Sequence, residues 1–381
     1  PLRLVGSEMC IRDSSKDALS AKGQHLGPGQ QAHALQLLAS AVHALQAKSH
    51  GWDEGSKLAD ALFSHFAHDY QEVRKAVCET LVEWEWTWLR PSLKSVPELL
   101  AHSRSAHGSL LAHSDVMRQR CEALQSQLRS WRAQRQPLAY GTSKYDVVAS
   151  TGALWVCLCL DDHRLGPMST YVLSLVPDLF EAFQLRDNEE LSETAHDVLV
   201  QVASHPFSAA QVPVLLEALL DILRRSESWH SRLDALPLLQ IVYYQNLYLL
   251  SHDMKRCILD VLCSLLHDPH VEVRDMAATT LAGIVRCSQR AYITELSQTF
   301  ADMAAVPIPR RGSPGYEAAM TQVHAGVLGA CALVAAFPYD VPSWMPSLVL
   351  DTIAVHSESP VPISTTVRPV SYTHLTLPTK A

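Results

Sequence analysis

Along most of this chain apolar residues recur at spacings of three and four, the period of a helix with one buried face, and not at the alternation of a half-buried strand. Over Leu110 to Trp131 the stripe is Met117, Cys121, Leu124, Leu128 and Trp131, with Gln, Ser and Arg on the other faces, which predicts a long helix packed along a neighbour. Paired helices are predicted over Val172 to Phe183 with Leu191 to Val202, and over Val212 to Arg224 with His230 to Leu250. Their connectors carry the breaker residues Arg186-Asp187-Asn188 and His205-Pro206-Phe207. Glu83-Trp84-Glu85-Trp86-Thr87-Trp88 alternates like a strand but continues the helix that begins at Val73. Trp84 and Trp88 then share a face and are expected in the core, with an indole exposed for a partner as the alternative. Ala304 to Tyr316 contains Pro307, Pro309, Arg310, Arg311, Gly312, Pro314 and Gly315, cannot continue a helix, and reads as a mobile loop.

Two places show a more specific pattern, in which a turn Asp precedes Val-Arg near the start of a second helix and small and apolar residues follow. One is Asp69, Glu72-Val73-Arg74, Ala76-Val77 and Leu81; the other is Asp268, Glu272-Val273-Arg274, Ala277-Ala278 and Leu281. This is the HEAT pattern. Val and Ala let the second helix lie close on the first, Asp caps the helix start, and Arg is expected to reach the neighbouring repeat's turn. Asp69, Val73, Arg74, Asp268, Val273 and Arg274 are therefore the structural motif residues. The fold class is all-α, a HEAT-like (armadillo-type) α-solenoid of antiparallel helix pairs. At about 40 to 47 residues per unit the chain would hold roughly eight repeats.

The two ends, 1–14 and 371–381, resemble translated sequencing adaptor and are set aside, so an internal fragment of a longer protein is expected. Between them the expected organisation is HEAT-like repeats over 15–227 and a C-terminal HEAT-like region over 228–370, with the loop at 304–316. A formal net charge of -8 argues against a phosphate-binding surface. Arg118, Arg120, Arg129, Arg132 and Arg135 read as a solvated helix face, so no direct nucleic-acid contact is expected. No apolar run is expected to cross a bilayer, since Leu233 to Leu250 is interrupted by Asp234, Gln240 and Gln245-Asn246. Nine cysteines without regular spacing suggest buried free thiols and a reducing compartment, nuclear or cytosolic.

Candidate chemistry is sparse. His65 and His68 lie three apart and Cys157 and Cys159 flank Leu158, but neither pair has a second pair at zinc-site spacing, so no metal is expected. There is no Gly-x-Ser-x-Gly elbow and no phosphate loop, because Gly23, Gly27 and Gly29 have the wrong spacing, so neither an enzyme nor a cofactor is expected. His324-Ala325-Gly326-Val327-Leu328-Gly329-Ala330-Cys331 instead predicts a helix that allows unusually close approach. A rigid turn from Pro338 to Pro346 follows, anchored by Trp344 and Met345.

The order and separation of four strings carry a resemblance: Ser228-Trp229-His230-Ser231-Arg232, Val271 to Gly283, His324 to Cys331, and Pro338-Tyr339-Asp340-Val341-Pro342-Ser343-Trp344-Met345-Pro346. Together they resemble the C-terminal part of the large HEAT-repeat proteasome-activator family. The resemblance extends over about Ser228 to Val367, while 15–225 shares only the HEAT periodicity. It implies a non-catalytic scaffold whose parent caps the 20S proteasome without ATP, contacts its alpha ring, stimulates peptide hydrolysis and helps substrates enter. Family members open the gate with a terminal hydrophobic-Tyr-x tail; this chain ends Pro378-Thr379-Lys380-Ala381 and has no such motif. The family is also linked to acetylated histones. Where animal members carry Asn-Phe, this sequence has Ser288-Gln289, so acetyl-lysine binding is not carried over. A general HEAT adaptor, of the transport-receptor or phosphatase-scaffold type, is the alternative; a helical enzyme with a buried polar site is a weaker one.

Overall fold

The computed structural model describes residues 27–44, 55–89, 114–137, 143–162, 170–287 and 290–370. The adaptor-like ends, residues 110–113, the Trp88 side chain and Ser288-Gln289 lie outside the described residues. Among the described residues every regular element is helical and none is a strand. The chain forms two compact units, Pro1–Ala218 and Leu219–Ala381, each considered by itself.

The first unit contains α1 (Pro28–Ala44), α2 (Gly55–Ser64) with a 3-10 turn at His65–Ala67, and α3 (Gln71–Leu89). It continues with α4 (Ser114–Gln134), α5 (Lys144–Asp161), a 3-10 turn at Thr170–Leu175 leading into α6 (Val176–Phe183), and α7 (Glu189–Ser204). Every second helix touches the next but one: α3 packs on α1 and α5, and α5 on α7. α2, α4 and α6 cover that row, each against its chain neighbour. This two-layer stacking is how helix pairs too small to enclose a core alone build a continuous one. Helix starts follow the sequence: Ser143 Oγ accepts from Tyr145 N at the start of α5, and Asn188 Oδ1 accepts from Leu191 N at the start of α7. On α3 the buried stripe is Val73, Val77, Leu81 and Trp84. Burying each such side chain contributes roughly 1.5 to 3 kcal/mol over leaving it exposed. The predicted long helix is α4, with Met117, Cys121, Leu124 and Leu128 buried and Trp131 half-buried.

The division between the units falls within α8 (Val212–Arg225). The second unit then holds α9 (Trp229–Gln245), α10 (His252–Leu265), α11 (Val271–Cys287) and α12 (Ile293–Ala304). α13 (Tyr316–Ala335), the composite helix α14 (Met345–His356) and α15 (Ile363–Val370) complete it. Its row is α9, α11, α13 and α15, backed by α10 against α11 and α12 against α13. The helix expected from His230 to Leu250 stops at Gln245, where Asn246 takes over: its amide donates to the Val242 carbonyl and its side chain does the same. α13 corrects the membrane expectation, because its length and composition would allow it to cross a bilayer, yet 72% of that window is buried in the fold, the mark of a core helix. The expected loop is present between Ala304 and Tyr316. Gly312 and Gly315 turn it with φ of 87° and 84°, a region open to glycine at no steric cost.

Candidate interaction surface and buried polar ties

The apolar HEAT positions are buried as expected, Asp268 holds the start of its helix, and the two arginines do not make the expected reach. Val73 and Val273 are buried on the inner faces of α3 and α11. Arg74 does not reach a neighbouring repeat; its Nη1 donates back to the carbonyls of His68 (2.7 Å) and Asp69 (3.1 Å) in its own turn. Asp69 is exposed. Asp268, in contrast, is the centre of a tie between repeats. Its carboxylate accepts from Nε (2.7 Å) and Nη2 (3.1 Å) of Arg232 on α9, and from the amide of His270 (2.9 Å) at the start of α11. The reach therefore runs forward from Arg232, a residue of the Ser228 to Arg232 string, and not from Arg274. A planar fork on a carboxylate fixes both direction and register, which a lysine would not do. The stack of Trp229 on His230 and His270 shields its flank.

Arg274 is buried on α11 with its Nε unpartnered, and burial lowers its pKa. His324 is buried on α13, where Nε2 meets Thr366 Oγ1 on α15 at 3.0 Å. Burial, and then the positive charge of Arg274, hold His324 down to about 4, so it is a neutral core imidazole at physiological pH.

An equivalent tie in the first unit corrects the reading of the arginine cluster. Arg135, expected in solvent, has a side chain only 6% exposed, donating to Asp146 (3.0 Å) on α5 and to Asp187 (3.0 Å) in the turn before α7. Arg120 pairs with Asp60 across α4 and α2, and Arg132 lies over the Tyr145 ring, so of the five only Arg118 and Arg129 are exposed. On the outer layer of the second unit, Arg256 of α10 grips Glu295 of α12 with two bonds and lies over Tyr292.

Sequence reasoning passed over Glu85. It sits among the expected core tryptophans and is fully buried, accepting from Trp155 Nε1 (2.7 Å), Tyr171 OH (2.5 Å) and Cys159 Sγ (3.5 Å). Burial pushes its pKa up to about 7, against the lowering effect of those three donors. Burial also raises the thiols of Cys78, Cys121 and Cys159, which suits inert core groups rather than nucleophiles. The local signal was a pair of glutamates, Glu83 and Glu85, inside an aromatic run; the partners of Glu85 lie 70 to 86 residues away. Cys157 instead turns to Asp161, and His65 stacks near His68. Among the described residues no group of three or more His, Cys, Asp and Glu converges as a metal site.

α9, α11 and α13 have their C-terminal ends on a common edge. The Tyr244 hydroxyl lies against Gly283, and Arg286 Nη2 donates to the Ala335 carbonyl at 2.8 Å. Beyond these ends Tyr248 is 97% exposed and Tyr339 100%, with Leu249 and Val341 also exposed. Elsewhere in the unit a groove of about 560 Å³ is lined by Arg224, Arg232, Asp260, Ser264, His267 and Asp268. Its central charges are already matched by the Arg232–Asp268 pair.

A tightly packed seam lies between α12 and α13. At Gly326 a methyl would fall 2.5 Å from Ala304 N and 2.7 Å from Phe300 O, and at Gly329 it would fall 2.5 Å from the Phe300 ring. The close approach expected of His324 to Cys331 is thus present. The downstream turn is anchored by buried Met345 and by Trp344, edge-on to Phe337.

Comparison with known proteins agrees with this geometry. The family described as "Proteasome activator complex subunit 4-like, C-terminal" matches residues 320–373, and the HEAT repeat family matches residues 258–288. Proteasome activator complex subunit 4 of Bos taurus is 33% identical over 209 residues, 51% of this chain and 11% of that protein. That of Homo sapiens is 33% identical over 212 residues, 52% of this chain and 11% of that protein. Proteasome activator subunit 4 of Arabidopsis thaliana is 31% identical over 186 residues, 46% of this chain and 10% of that protein. Over about half its length the chain is similar to the proteasome activator complex subunit 4 proteins. It spans about a tenth of the length of those activators. The activator-family match falls on α13 to α15, of which α13 and α15 are joined by the His324–Thr366 bond. The HEAT match falls on α10 and α11, with Asp268 and Arg274 inside it.

Proposed function

We propose that this chain is part of an ATP-independent activator that caps the 20S core particle at its alpha ring, stimulates peptide hydrolysis and promotes substrate entry. In this reading it works in nucleus and cytoplasm as a non-catalytic scaffold. The observation that carries the reading is the activator-family match over residues 320–373, on helices whose packing is complete within the second unit. The buried polar groups support a scaffold: Arg135, Arg232 and Glu85 are each spent on other side chains of the fold. A HEAT framework contributes a shaped, rigid surface, and the exposed edge at Tyr248 and Tyr339 is a surface of that kind.

The test uses the full-length protein from which this chain derives, mixed with purified 20S proteasomes without nucleotide. Co-migration on a sizing column together with faster hydrolysis of a fluorogenic peptide is expected. Failure to associate would overturn the proposal, and capture of other cargo in the absence of proteasome would favour a general HEAT adaptor.

A further inference from the structure

The connection between α12 and α13 plays no part in the scaffold described above. In its distal part Arg310, Arg311, Gly312, Pro314 and Gly315 are exposed and Ser313 is half-buried, and the described ion pairs of the chain employ other arginines. The backbone turns at Arg310–Ser313, where Ser313 N donates to the Arg310 carbonyl at 3.0 Å and Gly312 supplies the positive φ. The Ser313 hydroxyl donates to the same carbonyl at 2.6 Å. That one exposed bond has a net worth of about 1 kcal/mol, so the hydroxyl is easily released. Around this serine, then, stand two exposed guanidinium groups, three and two residues before it, and a proline directly after it.

We propose that Ser313 is a phosphoacceptor for a serine/threonine protein kinase that reads Arg310 and Arg311 with acidic side chains and accommodates the Pro314 ring. Each arginine offers a planar fork to a carboxylate in the kinase cleft. Pro314 has no N–H, so the cleft can require no donor at that position. In the transfer, Ser313 Oγ attacks the γ-phosphorus of ATP. The new O–P bond forms as the bond from that phosphorus to the bridging oxygen breaks, ADP leaves, and the hydroxyl proton passes to the kinase's base. The product carries a charge of about -2 beside two arginines, turning a basic loop into a nearly neutral one. The phosphate also stands two residues before Gly315, the N-cap of α13, where the helix dipole favours negative charge.

The test incubates the full chain and ATP with a proline-directed kinase and, separately, with an arginine-directed kinase, and maps phosphate by tandem mass spectrometry. Phosphate on Ser313 is expected from the proline-directed kinase, absent in Ser313→Ala and restored in Ser313→Thr. The initial rate is expected to fall about tenfold in Arg310→Ala/Arg311→Ala, the equivalent of losing one charge-assisted contact. No phosphate on Ser313 with the proline-directed kinase, or an unchanged rate in the arginine variant, would overturn the proposal.

Discussion

Replacing Gly326 by alanine adds one carbon at the α12–α13 seam, and the structure says what it meets. The new methyl would lie 2.5 Å from Ala304 N, 2.7 Å from Phe300 O and 2.9 Å from Met303 Cβ, where ordinary contact begins at 3.4 Å. Two of those atoms are α12 backbone and cannot rotate away, so the helices must separate by about 1 Å or distort, at about 1 to 3 kcal/mol for such overpacking. Alanine's better helix propensity returns about 1 kcal/mol. The expected net loss is about 0 to 2 kcal/mol, with the strain concentrated in one seam. Two other glycines are internal controls for the propensity gain. Gly152→Ala on α5 meets nothing within 4 Å and should stabilise by up to about 1 kcal/mol. Gly283→Ala meets only the ends of the Tyr244 and Gln240 side chains, which can swing aside, and should be close to neutral. Native-state hydrogen exchange read by mass spectrometry resolves the helices separately, which suits a chain of two units. Faster exchange across α12 and α13 in Gly326→Ala is expected; protection equal to the parent's would refute the reasoning.

Three further perturbations follow from the buried polar groups. Asp268→Ala strands Arg232 and should cost about 3 kcal/mol in urea unfolding of the second unit; a double-mutant cycle with Arg232→Met that shows no coupling would contradict the tie. Glu85 has a folded pKa of about 7, above an unfolded value of about 4.3, so its contribution is complete below the lower value and is lost as pH rises through the upper one. Parent and Glu85→Gln should diverge by about 4 kcal/mol across that window, and parallel pH profiles would count against it. His324 shifts the other way: its folded pKa of about 4 lies below an unfolded value of about 6.5, so its contribution is present above the higher value and is lost as pH falls through the lower. Exchange in α13 and α15 should therefore speed up on acidification in the parent and much less in His324→Gln, as compared by the same mass-spectrometric readout.

What the amino-acid sequence by itself determined is everything set by residues within a turn or two of each other. The three-and-four spacing of Met117, Cys121, Leu124 and Leu128 is enough to make α4 a one-faced helix, because side chains at that interval share a side. Pro307, Pro309, Gly312 and Gly315 end α12 and delay α13 for equally local reasons, a missing donor and a left-handed backbone. The small residues at 325, 326, 329 and 330 signal a close seam without naming its partner. Tertiary structure alone decided which charges pair. Arg135, directly after the helix that carries four similar arginines, has its side chain buried because α4 ends beside Asp146 and the turn at Asp187. Asp268 is claimed by Arg232, 36 residues upstream, and not by the nearer Arg274. Glu85 is sheltered by Tyr171 and Trp155 because α3 and α5 lie side by side. The physical reason is one of range: helix periodicity is a local correlation, whereas a carboxylate's partner is whichever donor the stacking of repeats brings within 3 Å, and no short-range pattern encodes that distance.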